Sequence, residues 1–411
     1  MKYLAVLGRQ PEISIAELEA LFSDMQILDG SCRLFSSPKN DDIFGGPPPE
    51  PSPVHVIHFE TSDIITIARL GGTLKLAVEL MEKPLDYLLK LPEGKITLGV
   101  SDYSNKASRK TATTEALKLK RVLAKQGRSV RVVENKEAVL STATSLHNGL
   151  SGKNERKVEL IKVDNDWYKV IGVQDIDAYA KRDQARPARD AKVGMLPPKL
   201  AQILINLCGP LKPGMTVLDP FCGTGVVLQE ALLMGYRAYG TDVSERMVEY
   251  SQKNLKWFLS EHCDQRGACS SEPRNDGRER EREERNLFQV QVGDATTFQW
   301  EQPIDAVACE GYLGKPFSKI PTEMELKEQK QECGTIVLGF LKNLASQIKT
   351  ETPVTIAAPA WLRENGEYSR LEIVDEIEKL GYNVNNKTLE GLLYHRERQV
   401  VARDILILRK K

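Results

Sequence analysis

The sequence contains no apolar run near the roughly 18 residues needed to cross a bilayer. Its opening, MKYLAVLGRQPEIS, has a strand-length apolar stretch but no long apolar core followed by a small-residue cleavage site. The expectation is therefore neither a membrane span nor a signal peptide. Histidine is scarce: the five residues at 55, 58, 147, 262 and 395 have no ligand spacing. The seven cysteines (32, 208, 222, 263, 269, 309, 333) form no C-x-x-C pair. A structural zinc site is thus not expected, and scattered single thiols point to a reducing cytoplasm. No lysine of the Walker type follows a glycine-rich turn, which argues against a nucleotide-hydrolysing loop. Net charge is absent as well, with 57 basic and 57 acidic residues.

That zero conceals an uneven distribution. Residues 1–100 carry 9 basic against 14 acidic side chains, residues 101–192 carry 20 against 12, and residues 193–411 carry 28 against 31. The middle segment is the one able to hold phosphates, although a solvated basic face gives the same count. At 411 residues, 41% hydrophobic and 28% charged, the chain has the make-up of a soluble protein of two or three domains.

Three blocks follow from periodicity and punctuation. In the first, KYLAVL (2–7) reads as a strand, Ser14 as the cap of helix IAELEALF, and the proline-rich stretch 38–53 as a loop. VHVIHFE (54–60) alternates like a strand, and SDIITIARLGGTLKLAVEL supplies a helix and a strand, closing a small α+β unit near residue 90. The second block, 95–175, holds the strand ITLGVSDY and the basic amphipathic helix TATTEALKLKRVLAKQG, stopped by Gly127. After the strand SVRVVEN and a short helix within 136–150 comes a hairpin turning at Asp164-Asn165-Asp166. Residues 176–196 are polar and basic and read as a linker. The third block, 197–411, alternates helix and strand, which predicts an α/β fold with a mainly parallel, doubly wound sheet. It is interrupted at 261–286 by a stretch too charged to join a core, expected to be disordered.

Within the third block a strand runs directly into Asp219-Pro220-Phe221-Cys222-Gly223-Thr224-Gly225 and then into a helix. Gly223 and Gly225 let the backbone turn tightly and approach a ligand, and a helix start offers free N–H groups to a carboxylate. One helix and one strand later, Gly-Thr-Asp242-Val243-Ser places an acid at a strand's carboxyl end, where it can accept hydrogen bonds from two ribose hydroxyls. Gly-Asp294-Ala295 puts another acid at the end of a further strand. The three points share one sheet edge, where open α/β folds bind ligands.

These motifs resemble those of Rossmann-type methyltransferases that modify nucleic acid. The order of the parts resembles the THUMP-containing tRNA guanine-N2 methyltransferase family, a likeness that extends to RDQARPARDAKVGMLPPKLAQILINL and to the closing LLYHRERQVVARDILIL. The resemblance implies a ferredoxin-like domain over 1–94, a THUMP domain over 95–175 that grips tRNA, the linker 176–196, and a Rossmann-like methyltransferase domain over 197–411. It implies S-adenosylmethionine as cofactor, its methionine part wrapped by residues 219–225, its ribose held by Asp242 next to Val243, and its adenine by Asp294 next to Ala295. Family members that act on amines carry an acid or amide, two prolines and an aromatic after the fourth strand. Here that stretch is Ala308-Cys309-Glu310-Gly311-Tyr312-Leu313-Gly314-Lys315-Pro316. Glu310 is the candidate acceptor for the amine and Tyr312 the candidate stacking aromatic, one position closer together than in the family pattern. Arg182, Arg186 and Arg189 are candidate phosphate contacts, since a guanidinium binds two oxygens at once; ion pairs with Asp183 and Asp190 are the other reading. Ribosomal RNA and DNA remain open as alternative acceptors, and so does an RNA-binding protein that keeps the cofactor but has impaired catalysis.

Overall fold

The structure, a computed structural model, describes residues 1–28, 33–36, 53–190, 196–262, 286–385, 391–396 and 399–411. The loop expected at 38–53 and the insertion expected at 261–286 lie, apart from their edges, outside the described residues. The chain divides into two compact units, Met1–Ala178 and Tyr179–Lys411. Among the described residues no helix is long and apolar enough to cross a membrane.

The first unit runs β1 (Lys2–Leu7), α1 (Pro11–Leu21), β2 (Gln26–Ile27), β3 (Arg33–Ser36), β4 (Pro53–Glu60), β5 (Thr73–Glu79), α2 (Pro84–Leu89), β6 (Ile96–Asp102), α3 (Arg109–Lys125), β7 (Val130–Val132), α4 (Thr142–His147), β8 (Lys157–Val163) and β9 (Asp166–Val173). Its strands form one sheet in the order β2-β4-β1-β5-β9-β8-β6-β7, with β3 beside β4. The boundary expected at 94/95 is therefore not a break in the structure. β5 from the first block pairs antiparallel with β9 from the second, and Leu76 and Ala77 of β5 are wholly buried. The change in charge at residue 100 marks surface composition, which does not report strand pairing.

Local chemistry explains which elements form. α1 starts at Pro11, whose missing N–H is harmless in a first turn. Ser14, expected as its cap, lies inside the helix instead and donates its hydroxyl to the Gly72 carbonyl at 2.9 Å. The helix expected from SDIITIARL shrinks to one 3-10 turn at Ile67–Arg69, in keeping with its crowded β-branched residues. α3 opens with a reciprocal capping box between Ser108 and Thr111 and buries Ala112, Ala116 and Leu123. Its lysines and arginines stay exposed. The β8–β9 hairpin turns where expected, with Asp164 at φ 53°.

The second unit comprises the part of α5 (Ile176–Gln184) from Tyr179 onward, then α6 (Pro198–Asn206), β10 (Thr216–Asp219), α7 (Val226–Leu233), β11 (Arg237–Asp242), α8 (Glu245–His262), β12 (Phe288–Val292), β13 (Ala306–Glu310), α9 (Glu323–Ala345), β14 (Pro353–Leu362), β15 (Tyr368–Ser369), α10 (Val374–Lys379), β16 (Tyr382–Val384), β17 (Leu392–Tyr394) and β18 (Val401–Lys410). The stretch expected to be a linker is thus largely folded: Arg182, Arg186, Ala188 and Asp190 are all buried. The sheet order is β12-β11-β10-β13-β14-β18-β16, with β15 beside β14 and β17 beside β18. β12, β11, β10, β13 and β14 pair in parallel, and β18 runs antiparallel to β14 and β16. The expected mainly parallel sheet is present.

Side-chain alternation sets the layers. Val307 and Cys309 of β13 enter a core completed by Val337, Phe340, Leu341 and Leu344 of α9. The intervening Ala306 and Ala308 are small, and α6 lies over β13. The parallel strands β10, β11, β12 and β13 all end on the same side of the sheet, which brings their last residues to one edge.

Candidate active site

That edge holds a cavity of about 1100 Å³. Every cofactor residue expected from the sequence except Gly225 lines it: Asp219, Pro220, Phe221, Cys222, Gly223, Thr224, Asp242, Val243, Asp294 and Ala295. Glu310 and Tyr312 line it too. Strand topology explains the convergence. Asp219 and Asp242 close the adjacent strands β10 and β11, Asp294 follows β12, and Glu310 closes β13.

The glycine turn is built around its neighbours. Asp242 accepts from the backbone N–H of Gly223 and of Ser244, each at 2.9 Å. Gly223 has φ 49°, and a methyl group there would meet no atom nearer than Phe221 O at 4.0 Å, so it would project into the cavity. Gly225 has φ 82°, and a methyl group on it would come within 2.8 Å of Ser251 Oγ. The two glycines thus serve different needs, one facing the ligand space and the other allowing close approach of α8.

Two side chains that sequence reasoning did not single out hold this turn from behind. Ser251 Oγ donates to Gly223 O at 2.9 Å. Asn254 Nδ2 donates to Thr224 O and to Ala188 O, both at 2.9 Å, while its Oδ1 accepts from Ala188 N. Both are fully buried polar residues of α8, and their spacing of three is the only trace they leave in the sequence. Arg403, which sequence reasoning also did not single out, bonds Glu310 instead.

The predicted arginines separate. Arg182 is buried and donates to Glu230 at 2.7 Å, with its guanidinium over the Tyr179 ring. Arg186 is also buried, donates to Thr224 Oγ1 at 3.2 Å and pairs with Asp183 at 3.4 Å, as the other reading expected. Neither reaches a solvent phosphate, so the phosphate-contact expectation is corrected for both. For Arg182 the sequence neighbourhood could not reveal this, because the acid that engages it lies 48 residues away, whereas the acid beside Arg186 is only three residues away. Arg189 is exposed. Asp190 pairs with Arg246 at 2.6 Å, which bears out an ion pair for Asp190 but with a different partner.

Electrostatics at the edge are dominated by carboxyls. Burial drives Asp219 well above the ordinary carboxylate range; a hydrogen bond from Phe221 N opposes this, and the nearby Asp242 and Glu310 add to it. Burial also raises Glu310, while the Arg403 guanidinium pulls it back. The Cys222 thiol is pushed up by burial and by Asp219 and Asp242, so it is a neutral wall and not a nucleophile. Burial, assisted by Glu332, raises the Tyr312 hydroxyl, which donates to Glu332 Oε1 at 3.1 Å.

These features fit S-adenosylmethionine. A wall of four carboxyls suits a ligand carrying sulfonium and ammonium charge. The open side of Gly223 gives the ligand backbone to lie against. Val243, 75% exposed, and Ala295 offer apolar contact beside the two acids. Asp294 Oδ1 is occupied by Thr296 N at 2.9 Å and Thr296 Oγ1 at 2.7 Å, which fixes the carboxyl's orientation. The cavity exceeds the usual range of about 300–1,000 Å³ for small-ligand sites, leaving space for a second reactant. Among the described residues no group of acids, histidines and cysteines is arranged to hold a metal.

Comparison with known proteins agrees with this reading. Residues 186–310 match a family model described as an RMKL-like methyltransferase domain. The tRNA (guanine(10)-N2)-dimethyltransferase of Methanothermobacter thermautotrophicus is 47% identical over 78 residues, 18% of this chain and 23% of that one. The enzyme of the same name from Methanocaldococcus jannaschii is 30% identical over 160 residues, 38% of this chain and 45% of that one. The chain thus spans less than half the length of these curated relatives. Among solved structures, TrmN from Thermus thermophilus aligns over the whole of both chains at 16% identity with a TM-score of 0.43, too distant to bear on the argument. The strand-end acids Asp219, Asp242, Asp294 and Glu310 of the second unit thus lie within the segment, residues 186–310, that is similar to RMKL-like methyltransferase domains.

Proposed function

We propose that the chain is a cytoplasmic tRNA methyltransferase acting on the exocyclic N2 amine of a guanosine. One observation carries this reading: the glycine turn with Asp242 and Asp294, and the acceptor candidates Glu310 and Tyr312, line a single cavity. The names of the relatives support tRNA and guanine N2 as substrate and atom.

Bound in the cavity, S-adenosylmethionine would supply an electrophilic methyl group. Asp242 would hold its ribose and Asp294 its adenine, with residues 219–225 around the methionine part. The work left to the protein is positioning, the main catalytic term for such a transfer. Glu310 would accept a hydrogen bond from the amine and stabilise the positive charge that develops on nitrogen. A carboxyl raised by burial is also a better acceptor for the proton the nitrogen must lose. Tyr312, whose hydroxyl is anchored to Glu332, would stack on the extruded base. Residues 95–175 would form the THUMP-like part that grips tRNA, with the exposed Arg109, Lys110, Lys118, Lys120, Arg121 and Lys125 of α3 meeting phosphates.

The test is transfer of tritiated methyl to bulk tRNA by wild-type protein and by Glu310→Ala. Cofactor affinity should stay intact in the variant while transfer slows. Full activity in Glu310→Ala removes Glu310 from the mechanism, and no transfer by the wild type despite cofactor binding removes the enzymatic reading.

A further inference from the structure

Glu310 has a partner that its own sequence neighbourhood does not disclose. Arg403 lies in β18, two strands away, opposite Pro359 of β14, while Glu310 lies opposite Ala357 of the same strand. Its guanidinium reaches across β14, and Nε donates to Glu310 Oε1 at 2.5 Å. The side chains are 7% and 16% exposed, and both line the cavity. Among the described residues no other hydrogen bond is made to the Glu310 carboxylate.

We propose that Arg403, through its bond to Glu310, gives this wall of the cavity an acceptor-only edge and thereby selects guanine as the base to be modified. This rests on the preceding reading, in which the target base faces Glu310. The argument is one of matching edges. The Watson–Crick edge of guanine presents two adjacent donors, the N1–H and the N2 amine. Adenine and cytosine each present an amine donor beside a ring-nitrogen acceptor. An ionised carboxylate has only acceptors, whereas a protonated carboxyl has one donor and one acceptor. The first matches guanine; the second matches adenine or cytosine. A donor left without its partner in a closed site costs about 1–3 kcal/mol.

Burial alone drives Glu310 toward the protonated form, and Arg403 opposes it. The other groups facing it do not help. Asp219 from β10 is an acid, with Asp242 of β11 beyond it, and Cys309 on its own strand is a neutral thiol. Toward α9, Tyr312 donates to Glu332, and Lys315, in the loop that follows β13, lines the cavity but is not among the groups that shift Glu310. Among the described residues Arg403 is the guanidinium that lines the cavity, and it works through Glu310 as a positioning residue.

The test compares full-length wild type, Arg403→Met and Arg403→Lys on unmodified tRNA transcripts between pH 6 and 9, with digestion and mass spectrometry of the nucleosides. S-adenosylhomocysteine affinity, measured by calorimetry, should stay within twofold in all three. Arg403→Met should methylate guanosine at least tenfold more slowly than wild type at pH 6 and recover to within threefold by pH 9, while Arg403→Lys should follow the wild-type profile. At pH 6 the share of methyladenosine among the products should rise in Arg403→Met only.

A thermal measurement gives a readout without catalysis. A raised carboxyl loses its stabilising contribution as pH rises through its folded value. Adding Glu310→Gln should therefore raise the melting temperature more at pH 8 than at pH 5, and should do so more strongly in the Arg403→Met background than in the wild type. Equal pH profiles for wild type and Arg403→Met, a deficit unchanged across pH, or an unmoved product share overturns the proposal. A wild type that never methylates guanosine overturns the base selection along with the preceding reading. In that case the thermal comparison alone still shows whether Arg403 controls the charge on Glu310, and so separates the two failures.

Discussion

Replacing Gly223 and Gly225 by alanine separates ligand space from packing within one turn. Both glycines have positive φ, 49° and 82°. An alanine forced into the left-handed region costs about 1–2 kcal/mol, and for Gly223→Ala that is the whole structural cost, since the nearest atom would be 4.0 Å away. For Gly225→Ala the added methyl would lie 2.8 Å from Ser251 Oγ and 3.3 Å from Ser251 Cα. Backbone cannot yield as a flexible side chain can, so overpacking adds about 1–3 kcal/mol. The totals are about 1–2 and about 2–5 kcal/mol. At roughly 2–4 °C per kcal/mol for a domain of this size, Gly225→Ala should lower the melting transition of the second unit clearly more than Gly223→Ala.

Cofactor binding should rank the other way relative to stability. Gly223 lines the cavity and Gly225 does not. Gly223→Ala should weaken S-adenosylhomocysteine binding at least tenfold, or about 1.4 kcal/mol, under conditions where it remains folded. Differential scanning fluorimetry and calorimetry on the same preparations provide both numbers. Equal stability losses, or unchanged affinity in Gly223→Ala, would refute the division of labour.

Three further outcomes follow from the geometry. Arg182→Ala should destabilise the second unit by about 3–5 kcal/mol, because it strands the buried Glu230 carboxylate, and it should leave the salt dependence of tRNA binding unaltered; a changed salt slope in filter binding would return Arg182 to the phosphate contacts. Asp219→Asn should become more stabilising relative to wild type as pH rises above the ordinary carboxylate range, because a carboxyl raised chiefly by burial loses its contribution as pH increases through the folded value; a pH-independent melting difference would contradict the burial and charge repulsion assigned to that edge. Binding of tRNA should weaken steeply with salt, by about 0.7–0.9 logarithmic units per tenfold salt for each phosphate neutralised, and charge reversal at Lys118 with Arg121 should flatten the slope; a slope indifferent to α3 would remove that helix from the RNA contact.

How much of this was legible in the sequence depends on the range of the interaction. The turn at 219–225 and the acids at 242 and 294 were readable because each lies at the end of its own strand, and parallel pairing alone gathers strand ends to one edge. Gly127 and Asp164 were readable for the same reason, since positive φ is a local demand. Ser14 was misread because a serine before an apolar run looks like a cap, whereas its partner, the carbonyl of Gly72, is 58 residues away. Arg182 was misread as a phosphate contact because charge counting cannot distinguish a solvated guanidinium from one paired with a buried acid, whereas the pair of Arg186 with Asp183, three residues apart, was legible as the other reading. The Glu310–Arg403 pair, 93 residues apart, depends on the register of β13, β14 and β18, which no local pattern encodes. The boundary at 94/95 failed similarly, for strand pairing across it leaves no mark in composition.

The central claim is that this cavity delivers a methyl group to guanine N2 in tRNA. The direct measurement is incubation of the full chain with unmodified tRNA and S-adenosylmethionine bearing a deuterated methyl group, followed by nucleoside mass spectrometry, with Asp242→Ala in parallel. The account predicts deuterium-bearing N2-methylguanosine from the wild type and none from the variant. Wild-type protein that binds the cofactor and yields no labelled guanosine, or an Asp242→Ala protein that labels it equally well, would contradict the account.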